Sequence, residues 1–352
     1  MQFGGARYGI GAGFHLEPFR QACLRRGRAM MTAVRRFRRQ MPWGGMGPIG
    51  LQGQPGRPIR PRGATSTSMD YYYQSSDGLR LYARIYPARQ AGWLPVLCLP
   101  GLTRNNRDFA ALAEHMSERH EVIAADLRGR GLSDWDPDPS HYQLSRYVED
   151  AWSLLDARGT ERVLIVGTSL GALMGMVLAT RPDRIAGVVL NDAGPELDLV
   201  GLLRIGSYAG KLPPVKTWAD AAAQAKMIHD EAVPGLTEAQ WMAYARRTYR
   251  ENDSGVPVPD MDPQIAAGFK KPPTGPLQMW PLWAQLTGVP ILVIRGALSD
   301  LLSAATVERM LREKPDLEHL TVANRGHVPL LDEPECLQAI DRFLTRHGRS
   351  TG

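Results

Sequence analysis

The run Leu164-Ile165-Val166-Gly167-Thr168-Ser169-Leu170-Gly171 is a buried strand that breaks into a Gly-x-Ser-x-Gly turn and then opens a helix of small residues from Leu170 to Thr180. A turn of this kind is sharp and strained, and it lifts the serine oxygen above the edge of a sheet. The residues two before and two after the serine pack against each other, so both must be small, and here both are glycine. The helix behind Ser169 points free backbone N–H groups toward whatever the serine oxygen attacks. Ser169 is the candidate nucleophile.

On both sides of this turn the chain alternates apolar runs with helical periodicity. Tyr71-Tyr72-Tyr73 and Leu79–Tyr86 read as strands joined at Asp77-Gly78, a hairpin turn. Short apolar runs at Pro95–Leu99, Val122–Asp126, Arg162–Gly167, Ile185–Leu190, Pro290–Ile294 and Leu317–Val322 read as strands covered on both faces. Helices are expected around Phe109–Met116, around Leu144–Leu155 and from Pro334 to Arg346. Strands alternating with helices predict an α/β fold with a mostly parallel central sheet, whose ligands sit at the carboxyl ends of the strands. Residues 195–288 break the alternation and read as mostly helical, with Trp218–Glu231 and Thr237–Arg250 the clearest helices. Pro257-Val258-Pro259 and Lys271-Pro272-Pro273 read as loops. The expected organisation is an extension over 1–68, a core over 69–194, a helical cap over 195–288 inserted between two late strands, and the rest of the core over 289–352.

A serine hydroxyl needs a base to take its proton. Of the eight histidines, His327 alone stands just past an expected strand and after a glycine, in Leu320-Thr321-Val322-Ala323-Asn324-Arg325-Gly326-His327. The base in turn needs a carboxylate to hold its tautomer. Asp300 follows the strand before that histidine and is the favoured carboxylate. Asp192, after Val188-Val189-Leu190-Asn191, is the rival, with a structural role as its other reading. The N–H groups of Leu102, in Leu99-Pro100-Gly101-Leu102, and of Leu170 are the expected oxyanion donors. Trp218, Trp241, Met279, Trp280 and Trp283, with Met227 and Met242, suggest an apolar acyl or aryl pocket, or else glue between cap and core.

These motifs resemble those of the α/β-hydrolase family over roughly Met69 to Arg346. The order Ser169, Asp300, His327 is similar to the family's order. Asp126-Leu127-Arg128-Gly129-Arg130-Gly131-Leu132-Ser133 resembles the Asp-x-Arg-Gly-x-Gly-x-Ser loop of its capped, esterase-like branch, where the role is structural. Gly326-His327-Val328-Pro329 with Glu333-Pro334 is similar to that branch's histidine loop. Pro100-Gly101 stands where many relatives carry His-Gly. The resemblance implies a serine hydrolase that cleaves a carboxylic ester through an acyl-enzyme. A lactone or carbon–carbon bond hydrolase, a cofactor-free perhydrolase, and a ligand-binding sensor on the same fold are the other readings. A serine at the turn argues against haloalkane dehalogenase and epoxide hydrolase chemistry.

Composition narrows the classes further. Apolar residues make up 43% and charged residues 22% of 352, ordinary values for a soluble globular chain, and no apolar run reaches membrane-spanning length. The net charge of +6 is concentrated at one end: residues 1–68 hold twelve arginines and one acid, so the remainder carries −5. The body is thus mildly acidic, and nucleic-acid binding by it is not expected. The first 68 residues are rich in glycine, proline and arginine and are expected to be disordered. No apolar run of the kind an export signal requires follows Arg35-Arg36-Phe37-Arg38-Arg39, and a start at Met30 or Met31 would shorten the extension while one at Met69 would remove it. Cys23, Cys98 and Cys336 form neither a disulfide framework nor a metal pattern, which suits a cytoplasmic protein without cofactor or metal. A small-molecule ester is the expected partner.

Overall fold

Strands β1 (Met69–Gln74), β2 (Arg80–Tyr86), β3 (Val96–Leu99), β4 (Val122–Asp126), β5 (Val163–Thr168), β6 (Ile185–Asn191), β7 (Ile291–Gly296) and β8 (Glu318–Val322) form one eight-stranded sheet in the computed structural model, which describes residues 68–269 and 275–350. Their spatial order is β1-β2-β4-β3-β5-β6-β7-β8. The first two strands form the expected hairpin, β2 runs antiparallel to β4, and every later pairing is parallel. The extension over 1–67 and Lys271-Pro272-Pro273 lie outside the described residues.

The two-residue period of a strand explains why these runs are apolar throughout. In β3, Leu97 and Leu99 face one core and Val96 and Cys98 the other. The first core is closed by helices α2 (Leu144–Ala157) and α3 (Leu170–Leu178), which supply Leu154, Leu155 and Met174. The second is closed by α1 (Ala110–Met116), with Leu112 and Met116, and by the last helix, Pro334–His347, with Ile340 and Phe343. A further helix, Ala304–Glu313, buries Val307 and Met310 between β7 and β8 in the chain.

The chain between β6 and β7, strands that are neighbours in the sheet, holds α4 (Leu199–Tyr208), α5 (Trp218–His229), α6 (Glu238–Thr248) and the short α7 (Trp280–Trp283). Thr217 with Asp220 and Thr237 with Gln240 form capping boxes that start α5 and α6. Trp241, Tyr244, Ala221 and Ala225 make a separate small core between those two helices. Pro257–Pro259 is a strand rather than the expected loop: it pairs with Tyr249–Glu251 in a two-stranded ribbon, where a proline without N–H can occupy an edge.

Two features place the strand ends. At the turn, a Cβ on Gly171 would collide with the backbone carbonyl of Leu99, so α3 lies against β3 at a distance only glycine permits. Gly171→Ala is expected to lower unfolding stability by about 3 kcal/mol, at the upper end for overpacking; an unchanged urea midpoint would contradict this close packing. In the loop after β4, Asp126 is buried and accepts bonds from the N–H of Asn106 (2.7 Å), the Asn106 amide (2.7 Å) and the N–H of Leu132 (2.9 Å). Burial nevertheless pushes its carboxyl up to about 6. Arg128, wholly buried, bridges Asp77, Asp136 and Asp150. Arg128→Leu would strand three carboxylates, and a loss of about 3–5 kcal/mol is expected in urea unfolding.

Candidate active site

Ser169 follows β5 directly and has φ of 53° and ψ of −111°, a left-handed conformation that a serine adopts only when its surroundings enforce it. Its own N–H is bonded to the carbonyl of Asn191 at 2.9 Å, which ties the turn to the end of β6. His327 lies beyond β8, and its Nε2 is 2.9 Å from the Ser169 hydroxyl. The other ring nitrogen, Nδ1, is 2.8 Å from Oδ2 of Asp192. A carboxylate can only accept, so Nδ1 carries the hydrogen and Nε2 is left as the acceptor for the serine proton. His327 is nearly buried and Asp192 wholly so, which shields the pair from competing water.

The favoured carboxylate of the sequence reading, Asp300, is therefore not the one on the histidine. Asp192 occupies that place, immediately after β6 and with φ of 53°. It accepts from the N–H of Gly296 (2.8 Å) and the hydroxyl of Ser299 (2.6 Å) as well as from His327. The loop after β7 thus supports the acid instead of supplying it. Asp300 turns the other way, onto the guanidinium of Arg204 on α4, at 2.6 and 2.8 Å. Burial alone would raise the Asp300 carboxyl, but the Arg204 bonds outweigh burial and hold it below the usual carboxylate range.

Leu170 directly follows Ser169, and Leu102 lines the cavity over that serine. Leu170 is the first residue of α3, whose opening N–H groups have no partner within the helix. Neither the Leu102 nor the Leu170 N–H donates to an acceptor among the described residues. The Leu102 loop is pinned from below by Arg130, whose Nε donates to the Leu102 carbonyl at 2.9 Å. On the other side, the Asn191 amide donates to the Pro329 carbonyl at 3.0 Å and fastens the histidine loop to β6.

A cavity of about 230 Å³ opens over Ser169 and His327. Leu102 and Phe109 line it from the core, Ile205, Tyr208, His229, Tyr244 and Arg247 from the segment between β6 and β7, and Leu330 and Asp332 from the histidine loop. None of the seven residues expected to line a pocket is part of this wall. Trp218 stacks beneath Arg246 and donates to Glu251, and Trp280 stacks beneath Arg309 and donates to Glu196. Trp241 is fully buried between α5 and α6, Trp283 is buried in the main core, and Met279 packs against that core. They glue elements together, the other reading of their sequence pattern.

The polar wall was not legible in any motif. Arg104 and Arg107 come from the turn and short helix after β3 and Arg247 from α6, and the two groups meet only in space. His229, at the end of α5, stands between the rings of Tyr208 and Tyr244, with centroids 5.6 and 5.3 Å away. Burial, then Arg104, Arg204 and His327, lower its pKa well below the usual value, so it faces the cavity as a neutral imidazole.

Asp77, Asp136 and His141 bring three ligand-type atoms within 4.8 Å of one another, a juxtaposition that chain spacing did not reveal. Arg128 already bonds both carboxylates, so their charge is met by a guanidinium. Cys98 and Cys336 are free and buried, and burial raises both thiols. No helix among the described residues is long and apolar enough to cross a membrane.

Sheet order, serine turn and histidine loop define a class, and comparison with known proteins agrees. Residues 96–336 match the model of the alpha/beta hydrolase family, and the chain belongs to that family. Over 267 residues it is 31% identical to a 3-hydroxybutyrate-oligomer hydrolase of Cupriavidus necator, covering 71% of this chain and 88% of that one. It is 29% identical over 266 residues to a 2-(acetamidomethylene)succinate hydrolase of Mesorhizobium japonicum, covering 73% and 90%. The crystal structure of an alpha/beta hydrolase from Novosphingobium aromaticivorans superposes with a TM-score of 0.76 at 43% identity, covering 80% of this chain and all of the other. Hydrolase chemistry is thus a property of the family and of these relatives.

Proposed function

We propose that this chain is a serine hydrolase that cleaves a short carboxylic ester through an acyl-enzyme on Ser169. The observation that carries the reading is the hydrogen-bonded line from Ser169 through His327 to Asp192 at the floor of a cavity. In the first step Ser169 Oγ attacks the ester carbonyl and its proton passes to His327 Nε2. The N–H groups of Leu102 and Leu170 receive the oxyanion, a contribution of about 3 kcal/mol to the barrier for each donor. Collapse breaks the ester C–O bond, and His327 returns the proton to the leaving alcohol. Water then attacks the acyl-enzyme, giving its proton to His327, and the carboxylic acid departs as Ser169 is re-protonated. Asp192 keeps the imidazole oriented and stabilises it while it is charged.

Residues 195–288 act as a cap in this account, supported by Ile205, Tyr208, His229, Tyr244 and Arg247, which they contribute to the cavity wall. The size of the cavity and its polar wall favour a short ester of a hydroxy acid over a long acyl or aryl ester. Similarity to a 3-hydroxybutyrate-oligomer hydrolase supports the same substrate class. Turnover of p-nitrophenyl esters of increasing acyl length, and of the linear 3-hydroxybutyrate dimer, tests this. Activity should be highest on the dimer and the shortest esters. An optimum at long acyl chains would reject the substrate class, and no ester turnover would reject the reaction.

A further inference from the structure

Three arginines line the cavity, and two of them are held by hydrogen bonds through at least two guanidinium nitrogens. Arg104 gives Nε and Nη2 to Asp108 at 2.6 and 2.5 Å and Nη1 to Thr248 at 2.6 Å. Arg107 bonds Asn105 at 3.1 Å and Asp260 at 2.5 Å. Arg247 differs. Its guanidinium donates no hydrogen bond among the described residues, and its Nε is buried without a partner. The nearest acid is Asp108, 3.7 Å away, whose two oxygens are already held by Arg104. Two guanidiniums thus share one carboxylate. Asp332, the other acid of the cavity wall, makes no hydrogen bond or close ion pair with Arg247; burial and the Glu333 charge push its carboxyl above the usual range, and the Arg247 charge offsets only part of that rise.

A buried guanidinium nitrogen left unpaired is costly, and the planar fork of arginine fits a carboxylate in particular. Arg247 sits on α6, so the residue-195–288 segment places this charge on the same cavity as Ser169. We infer that Arg247 is a subsite for a free carboxylate on the substrate, so that the cavity selects esters ending in an acid over neutral esters. The inference rests on the Ser169 reaction proposed above and adds the feature by which the substrate is chosen. A linear hydroxy-acid oligomer ends in such a carboxylate.

The test compares the linear 3-hydroxybutyrate dimer with its terminal carboxamide, which has the same single scissile ester but no charge. Wild type should favour the acid in kcat/KM by at least tenfold. Arg247→Gln should lower that ratio at least tenfold, and Arg247→Lys should restore part of it. A ratio does not depend on the fraction of protein folded, so a poorly folding variant cannot imitate the result. Calorimetry on Ser169→Ala gives a readout without turnover: the acid should bind at least tenfold more tightly than the carboxamide, and adding Arg247→Gln should abolish the difference. A wild-type preference near one, or a preference unchanged in Arg247→Gln, overturns the subsite. If the acid and the carboxamide are hydrolysed equally well and in a Ser169-dependent way, the subsite fails and the hydrolase stands. If both compounds bind Ser169→Ala with the expected difference but wild type cleaves neither, the subsite stands and the hydrolase reading fails.

Discussion

Replacing Ser169 with alanine is expected to lower kcat on the 3-hydroxybutyrate dimer by about a millionfold, the scale seen when the nucleophile of a triad is removed. The variant should keep its fold. Serine adopts a positive φ at this turn with no benefit from its hydroxyl, and alanine pays the same steric cost. Removing an oxygen that faces a cavity exposes no buried partner other than His327 Nε2, which water in the cavity can reach. Equal urea midpoints with a collapsed kcat separate loss of chemistry from loss of structure. A variant retaining a tenth of wild-type turnover would show that another group performs the attack.

The second large effect separates two acids. Asp192→Asn should lower kcat on the order of 10⁴-fold, because an amide at this position can present its N–H₂ to Nδ1 and stabilise the wrong tautomer of His327. Asp300→Asn should leave kcat within about tenfold of wild type, since Asp300 bonds Arg204 and not the histidine. Its cost should fall on stability, through an Arg204 guanidinium that loses its charged partner. Steady-state kinetics of the two variants on one neutral ester decides between them. A larger loss in Asp300→Asn than in Asp192→Asn would reinstate the carboxylate that chain order favours.

The contrast between these acids explains what could be read from the chain. The placement of Ser169 and His327 is legible because local pattern carries it: a strand, two glycines at a fixed spacing, and a histidine just past the last strand. The sheet was legible for the same reason, since a strand covered on both faces must be apolar throughout. The acid is not a local property. β6 and β7 are neighbours that both end in loops carrying an aspartate, and the choice is made by partners from elsewhere. Arg204 on α4 draws Asp300 aside, while Gly296 and Ser299 hold Asp192 toward the histidine.

The tryptophans show the opposite difficulty. A large apolar residue in an inserted segment fits a pocket and a core equally well, and no periodicity distinguishes them. Trp218 and Trp280 are held by arginines from other elements, Arg246 and Arg309, which only the fold brings near. The charged wall of the cavity is not legible in the chain, because Arg104 and Arg247 belong to no motif and are 143 positions apart. The helix Ala304–Glu313 is not legible either. Its buried face is only Thr306, Val307 and Met310, too short an apolar stripe to stand out.

Exposure to a fluorophosphonate followed by intact-protein and peptide mass spectrometry tests the activated serine most directly. The account predicts one phosphonyl group per chain, carried on the peptide containing Ser169, absent from Ser169→Ala and blocked by prior incubation with the 3-hydroxybutyrate dimer. A chain that stays unlabelled, or a label on any other residue, would contradict it.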